Sequence, residues 1–161
     1  NEWEAAGLFK ARKIAYTLKY YNINNHDWDN AHQLKDLELI KFIYSKFFNK
    51  FSHVYGHYFR NIYHILLFID KAEEEKKTHL EQADEKQRVE YEFYQYANFI
   101  QAQMTTPELF LTFYNCLSFP KFQELIIKYN LLENLYKEDL IHKEHNNVKG
   151  IKLKSRIDIL N

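Results

Sequence analysis

Glycine and proline are scarce in this chain. Three Gly and two Pro among 161 residues leave few places for the tight turns that an all-β fold needs. Cysteine occurs once, as Cys116. An internal disulfide is therefore excluded, the sequence suits a reducing compartment, and the thiol reads as a small buried apolar group. No apolar run approaches the ~18 residues that span a bilayer. The richest, Ile62 to Ile69, is interrupted by His64 and stops at Asp70. A surplus of charge is missing too. Twenty-two Lys and Arg balance 22 Asp and Glu, which argues against a nucleic-acid or membrane surface as the partner of the chain as a whole. There is no Gly-rich phosphate loop, paired-Cys zinc spacing, HExxH pattern or Ser nucleophile elbow, and no stretch patterned like a secretory leader. No cofactor is implied.

Aromatic residues fill the space: 13 Phe and 13 Tyr. They concentrate around residues 51–70, FSHVYGHYFRNIYHILLFID. Tyr55, Phe59, Ile62, Leu66 and Ile69 succeed one another at steps of three and four, the seam of a helix packed on other helices. His53, His57, Arg60, Asn61 and His64 make a polar row beside it. Upstream, residues 2–21 read as a helix with a basic exterior (Lys10, Arg12, Lys13, Lys19). That exterior is either a solvated face or a surface for anionic headgroups. NINNHDWDN, residues 22–30, reads as a polar linker, with Asp29 or Asn30 capping the next helix. Leu37, Ile40, Tyr44, Phe47 and Phe51 continue the helical spacing. Unbroken, the pattern would last from Ala31 to Ala72, so a bend is expected near Phe51 to Gly56, unless Gly56 serves close packing.

Residues 71–88, KAEEEKKTHLEQADEKQR, read as an exposed helical extension or a loop without site chemistry. Glu90 to Met104 returns to helix, with Phe93, Tyr96 and Ile100 inward. At TTPELF, Thr106 can cap, Pro107 suits the first turn, and Glu108 meets the helix dipole there. Phe110, Phe113, Tyr114 and Leu117 form the next stripe. Phe122, Leu125, Ile126 and Tyr129 mark a short helix, and NLLENLYKEDLIH suggests one more. The tail alternates in IKLKSRIDIL, as an extended docked arm or a strand would, but a sheet is not expected without a second strand. The predicted architecture is an all-α, single-domain bundle of six or seven helices. Residues 1–30 form a basic helix and linker, 31–143 the helical domain, and 144–161 a polar tail.

Two readings of the polar row compete. In one, Arg60 lies within the apolar seam and needs a partner. Glu108 is the expected acid, with Asp70 and the Asn115 amide as other candidates. In the other, Arg60 and a neighbouring histidine hold a phosphate. RNIYH then resembles the Arg-polar-His arrangement of HEPN ribonucleases, with Arg60 gripping phosphate and His64 moving the proton. The Arg-to-His spacing is one residue shorter than that pattern usually has. His53 and His57 are one turn apart and could share a metal ion, but His64 lies roughly 10 Å further along the axis, so no metal is assigned. Aromatic pairs such as Phe47–Phe48 read as core rather than as base-stacking platforms.

Three segments, GHYFRNIYHILLFID, YANFIQAQMTTPELFLTFYNCL and FQELIIKYNLLENL, in this order resemble the phage abortive infection (AbiC-like) family over roughly Phe47 to Leu135. The matching positions are Tyr58, Phe59, Arg60 and Tyr63, then Gln103, Thr105, Glu108 and Leu109, then Tyr114 and Asn115. Gln101 departs from the family, which often has arginine there. The resemblance implies antiphage defence in bacteria, in which infected cells stop growing before phage matures. Arg60, Tyr63, Glu108, Tyr114 and Asn115 are the expected polar cluster. A phage or host protein is the expected trigger, homo-oligomers are admitted, and nucleic acid is a partner only in the ribonuclease reading. Many similar proteins carry membrane-spanning helices ahead of this domain. The chain begins at Asn1 and has one methionine, Met104. The expectation is a cytoplasmic piece of a longer protein tethered to the inner face of the membrane.

Overall fold

The computed structural model describes residues 20, 23–31 and 33–159. The expected basic helix of residues 2–21 thus lies outside the described residues, apart from Tyr20. Five α-helices come next: α1 (Asn25–Ala31), α2 (Asp36–Thr78), α3 (Ala83–Ala102), α4 (Thr106–Cys116) and α5 (Pro120–Lys128), with three short 3-10 turns beyond them. The all-α class holds, and the described residues contain five α-helices, where six or seven were expected of the whole chain. Two of those expected merge into the 43-residue α2. Helix continues through Gly56. The linker reading also fails, since NINNHDWDN contains most of α1. Its cap is Asn24, whose Oδ1 accepts the Asp27 N–H at 2.7 Å, and Asp29 and Asn30 lie inside the helix.

The chain divides into two compact units, residues 1–55 and 56–161. In the first, Lys46 pairs with Asp27 at 2.6 Å. Along α2, Phe47 lies 5.0 Å from Phe51 and 5.9 Å from Tyr44, centroid to centroid. Those offsets are where aromatic rings attract.

In the second unit, Phe59, Ile62, Leu66 and Ile69 of α2 are buried as their spacing predicts. The core stripe of α3 is Val89, Phe93, Ala97 and Gln101, at steps of four. Tyr96, expected inward, is 43% exposed. The small Ala97 at the centre allows close approach, and the larger Tyr96 ring is left at the surface beside Phe93. Helix α4 starts one residue earlier than expected, on Thr105, whose N–H and hydroxyl both donate to the Glu108 carboxylate at 2.7 Å. This is a capping box. It buries Leu109, Thr112, Phe113 and Cys116.

The helix expected in NLLENLYKEDLIH does not form. Asn130 takes a left-handed φ of 47°, and the Leu131 N–H bonds back to the Ile126 carbonyl at 3.0 Å. This is a Schellman-type stop. Leu131, Leu132 and Leu135 turn inward from the irregular stretch beyond it. The tail docks as an extended arm, with Ile151, Leu153 and Ser155 buried in alternation. A single parallel bridge joins Tyr136 to Lys154. Gly150 enters the arm at φ 86°, and a Cβ there would come within 2.8 Å of the Ile127 side chain.

Candidate functional site

The residues singled out in the sequence do not converge. Arg60 is exposed, and it makes no hydrogen bond, ion pair or ring contact with any described residue. A helix residue two positions from Ile62 and one from Phe59 points away from both, because each step turns the side chain by about 100°. The expected ion pair with Glu108 is therefore absent, and Glu108 is committed elsewhere, closing the α4 cap. Its carboxyl sits below the ordinary range, chiefly because the Thr105 hydroxyl and N–H donate to it. Facing it is Tyr58, whose buried hydroxyl has no hydrogen bond of good geometry. Burial, and then the Glu108 charge, push that phenol up to about 12.

Tyr63 packs its ring edge-on against Phe122 of α5, 6.1 Å between centroids. Tyr114 and Asn115 are buried in α4. The Tyr114 hydroxyl accepts the Ile141 N–H at 3.0 Å and lies 2.9 Å from Nδ1 of buried His145. The His145 tautomer sets which of the two donates. This bridge ties α4 to the loop near the tail. His145 carries no sequence signal, because its partner is 31 residues away. His64 remains exposed, with a ring contact to Tyr63. Among the described residues no group of three His, Cys, Asp or Glu is placed to share a metal ion.

The densest polar cluster lies where no chemistry was expected, at the end of α2. Glu73 is only 1% exposed. Its carboxylate accepts the Tyr129 hydroxyl at 2.7 Å and pairs with Lys77 at 3.0 Å and Lys128 at 3.1 Å. Lys77 also reaches Glu74 and Glu90, and Lys128 reaches Asp70 and Glu74. Burial works against both ammoniums. The carboxylates outweigh it and hold each lysine above its ordinary range. For Tyr129, burial and then the Glu73 hydrogen bond and charge drive the phenol far upward. Only the periodicity could reveal Glu73, since it sits four residues past Ile69 on the buried stripe. In a run of three consecutive glutamates that signal is easily missed.

A family comparison bears on this architecture. Residues 50–140 match the family model described as "Putative phage abortive infection protein", more than half of the chain. The chain belongs to this abortive infection family. No curated protein and no solved structure matches it. The matched segment of this abortive infection domain spans Arg60, the α4 cap and the Glu73 cluster. It also contains Gln101. Here the Gln101 amide donates to the carbonyls of Asn130 and Leu131, at 3.2 and 3.1 Å. Its work is to satisfy the backbone where α5 ends.

Proposed function

We propose that this chain is the sensing and interaction domain of an antiphage abortive infection protein, acting in the bacterial cytoplasm on a phage or host protein. The observation that carries this reading is the outer face of α2. Arg60, Asn61, His64, Ile65 and Phe68 are all exposed, with Phe68 at 73%. Arginine and aromatic side chains are the types enriched where proteins bind proteins. A cation without a partner among the described residues, with an uncovered ring about two turns further along the same face, suits a partner with an acidic rim around an apolar pocket. In the full-length protein the domain sits at the inner face of the membrane, held by a segment outside this chain, and assembles with further copies.

The test is a phage challenge of cells carrying the full-length gene. Arg60→Glu and Phe68→Glu should each abolish protection while the protein accumulates normally. Undiminished protection by both would refute the reading.

A second reading keeps the HEPN-like ribonuclease. It is favoured by one feature: Arg60 and His64 are both exposed, one helical turn apart, and open to a phosphate. Purified protein incubated with total RNA beside a His64→Ala variant separates the two. Cleavage lost with His64 supports the enzyme, and equal negligible cleavage removes it.

A further inference from the structure

An open cleft of about 450 Å³ lies against the Glu73 cluster. Its walls are Glu73, Gln87, Glu90, Tyr91, Tyr94, Lys128 and Tyr129. Three tyrosines from two elements thus surround one hollow, and Tyr91 stands 67% exposed. The ring of Tyr91 is largely uncovered, although an aromatic ring of that size gains by being covered. Tyr129 and Tyr94 are held from behind, because their hydroxyls donate to Glu73 at 2.7 Å and to Glu133 at 3.1 Å. Those two rings are therefore set in place before any guest arrives.

The charge around the hollow is lopsided. Its charged walls are two carboxylates, Glu73 and Glu90, against one ammonium, Lys128. The cluster already shows what it tolerates, since Lys77 and Lys128 sit among its carboxylates and Lys128 also lies over the Tyr129 ring at 5.3 Å. Aromatic faces and carboxylates attract the same guests, positively charged ones.

We infer that this cleft binds an organic cation, a guanidinium or alkylammonium head on a flexible stem, with the head between Glu90 and the Tyr91 ring. Gln87 offers the stem or head a neutral hydrogen-bonding group. The cation is either a free amine or the side chain of an arginine or lysine on a peptide. This site is separate from the exposed face of α2, and its test does not use phage protection, so either reading can fail alone.

The experiment is titration of the 161-residue chain with agmatine and, separately, with an end-blocked tripeptide carrying a central arginine. Calorimetry and amide NMR shifts are the readouts, at low salt. Uncharged butylurea is the control. The expected result is saturable binding of at least one cation, weakened by added salt, with shifts centred on residues 87–94. Tyr91→Ala and Glu90→Gln should each weaken it about threefold to tenfold. Both positions are at the surface, and circular dichroism verifies that each variant is folded. Binding of agmatine alone identifies a free amine as the guest, and binding of the peptide alone identifies a protein side chain. No saturable binding of either probe would overturn the inference. So would butylurea binding as well as agmatine, or affinity unchanged in both variants.

Discussion

Removing the Glu73 carboxylate tests the buried cluster most directly. Glu73→Ala strips the Tyr129 hydroxyl of its 2.7 Å acceptor and leaves only a 3.5 Å contact to Asp70. Tyr129 is 2% exposed, so water cannot easily replace the lost bond, and a buried donor left unmade costs about 1–3 kcal/mol. The two lysines suffer less. Lys77 keeps Glu74 and Glu90, and Lys128 keeps Asp70 and Glu74. Each lost pair there is of surface magnitude, about 0.5 kcal/mol. The sum is about 2–4 kcal/mol, and in a domain of this size that lowers Tm by on the order of 10 °C. Glu73→Gln keeps an oxygen for Tyr129 and loses only charge, so it should cost about 1 kcal/mol. Far-UV circular dichroism in urea is the assay. If Glu73→Ala melts within about 0.5 kcal/mol of the parent protein, the cluster is not what holds α2 to α5.

The geometry leads to four more expected outcomes. Arg60→Ala should change stability by no more than about 0.5 kcal/mol in urea denaturation, since the side chain is exposed and unpartnered among the described residues. Tyr114→Phe removes the link between Ile141 and His145 and should cost about 1–2 kcal/mol in the same assay, with faster amide exchange at Ile141. Gly150→Ala should destabilise by about 1–2 kcal/mol, because a left-handed φ of 86° and the nearby Ile127 both oppose a Cβ. Tyr58 is raised in the folded state, so the neutral phenol contributes stability that is whole below pH 10 and lost as pH rises through about 12. Ultraviolet absorbance should show a phenol ionising near 12 that shifts downward in Glu108→Gln.

Much of the fold can be read from spacing alone. Phe59, Ile62, Leu66 and Ile69 are buried where steps of three and four place them, and Phe122, Leu125 and Ile126 likewise. Helix ends are less legible. The α4 cap falls on Thr105 because Glu108 reaches back to it rather than to Thr106. The expected last helix is prevented by Asn130, whose left-handed backbone no apolar pattern announces. The candidate site is hard to read for a related reason. A cation near apolar residues in sequence resembles a buried one, although on a helix neighbours one or two positions apart face different directions. Conversely, Glu73 stands amid charged neighbours, as a solvated residue would, and is buried.

The amino-acid sequence by itself determined the helical class, the buried faces of the central helices and membership in the abortive infection family, since all three reside in local spacing and local motifs. Tertiary structure decided which charges went inside. Burial of a carboxylate depends on a tyrosine 56 residues away and two lysines arriving together, and that meeting is a property of packing rather than of any stretch of chain.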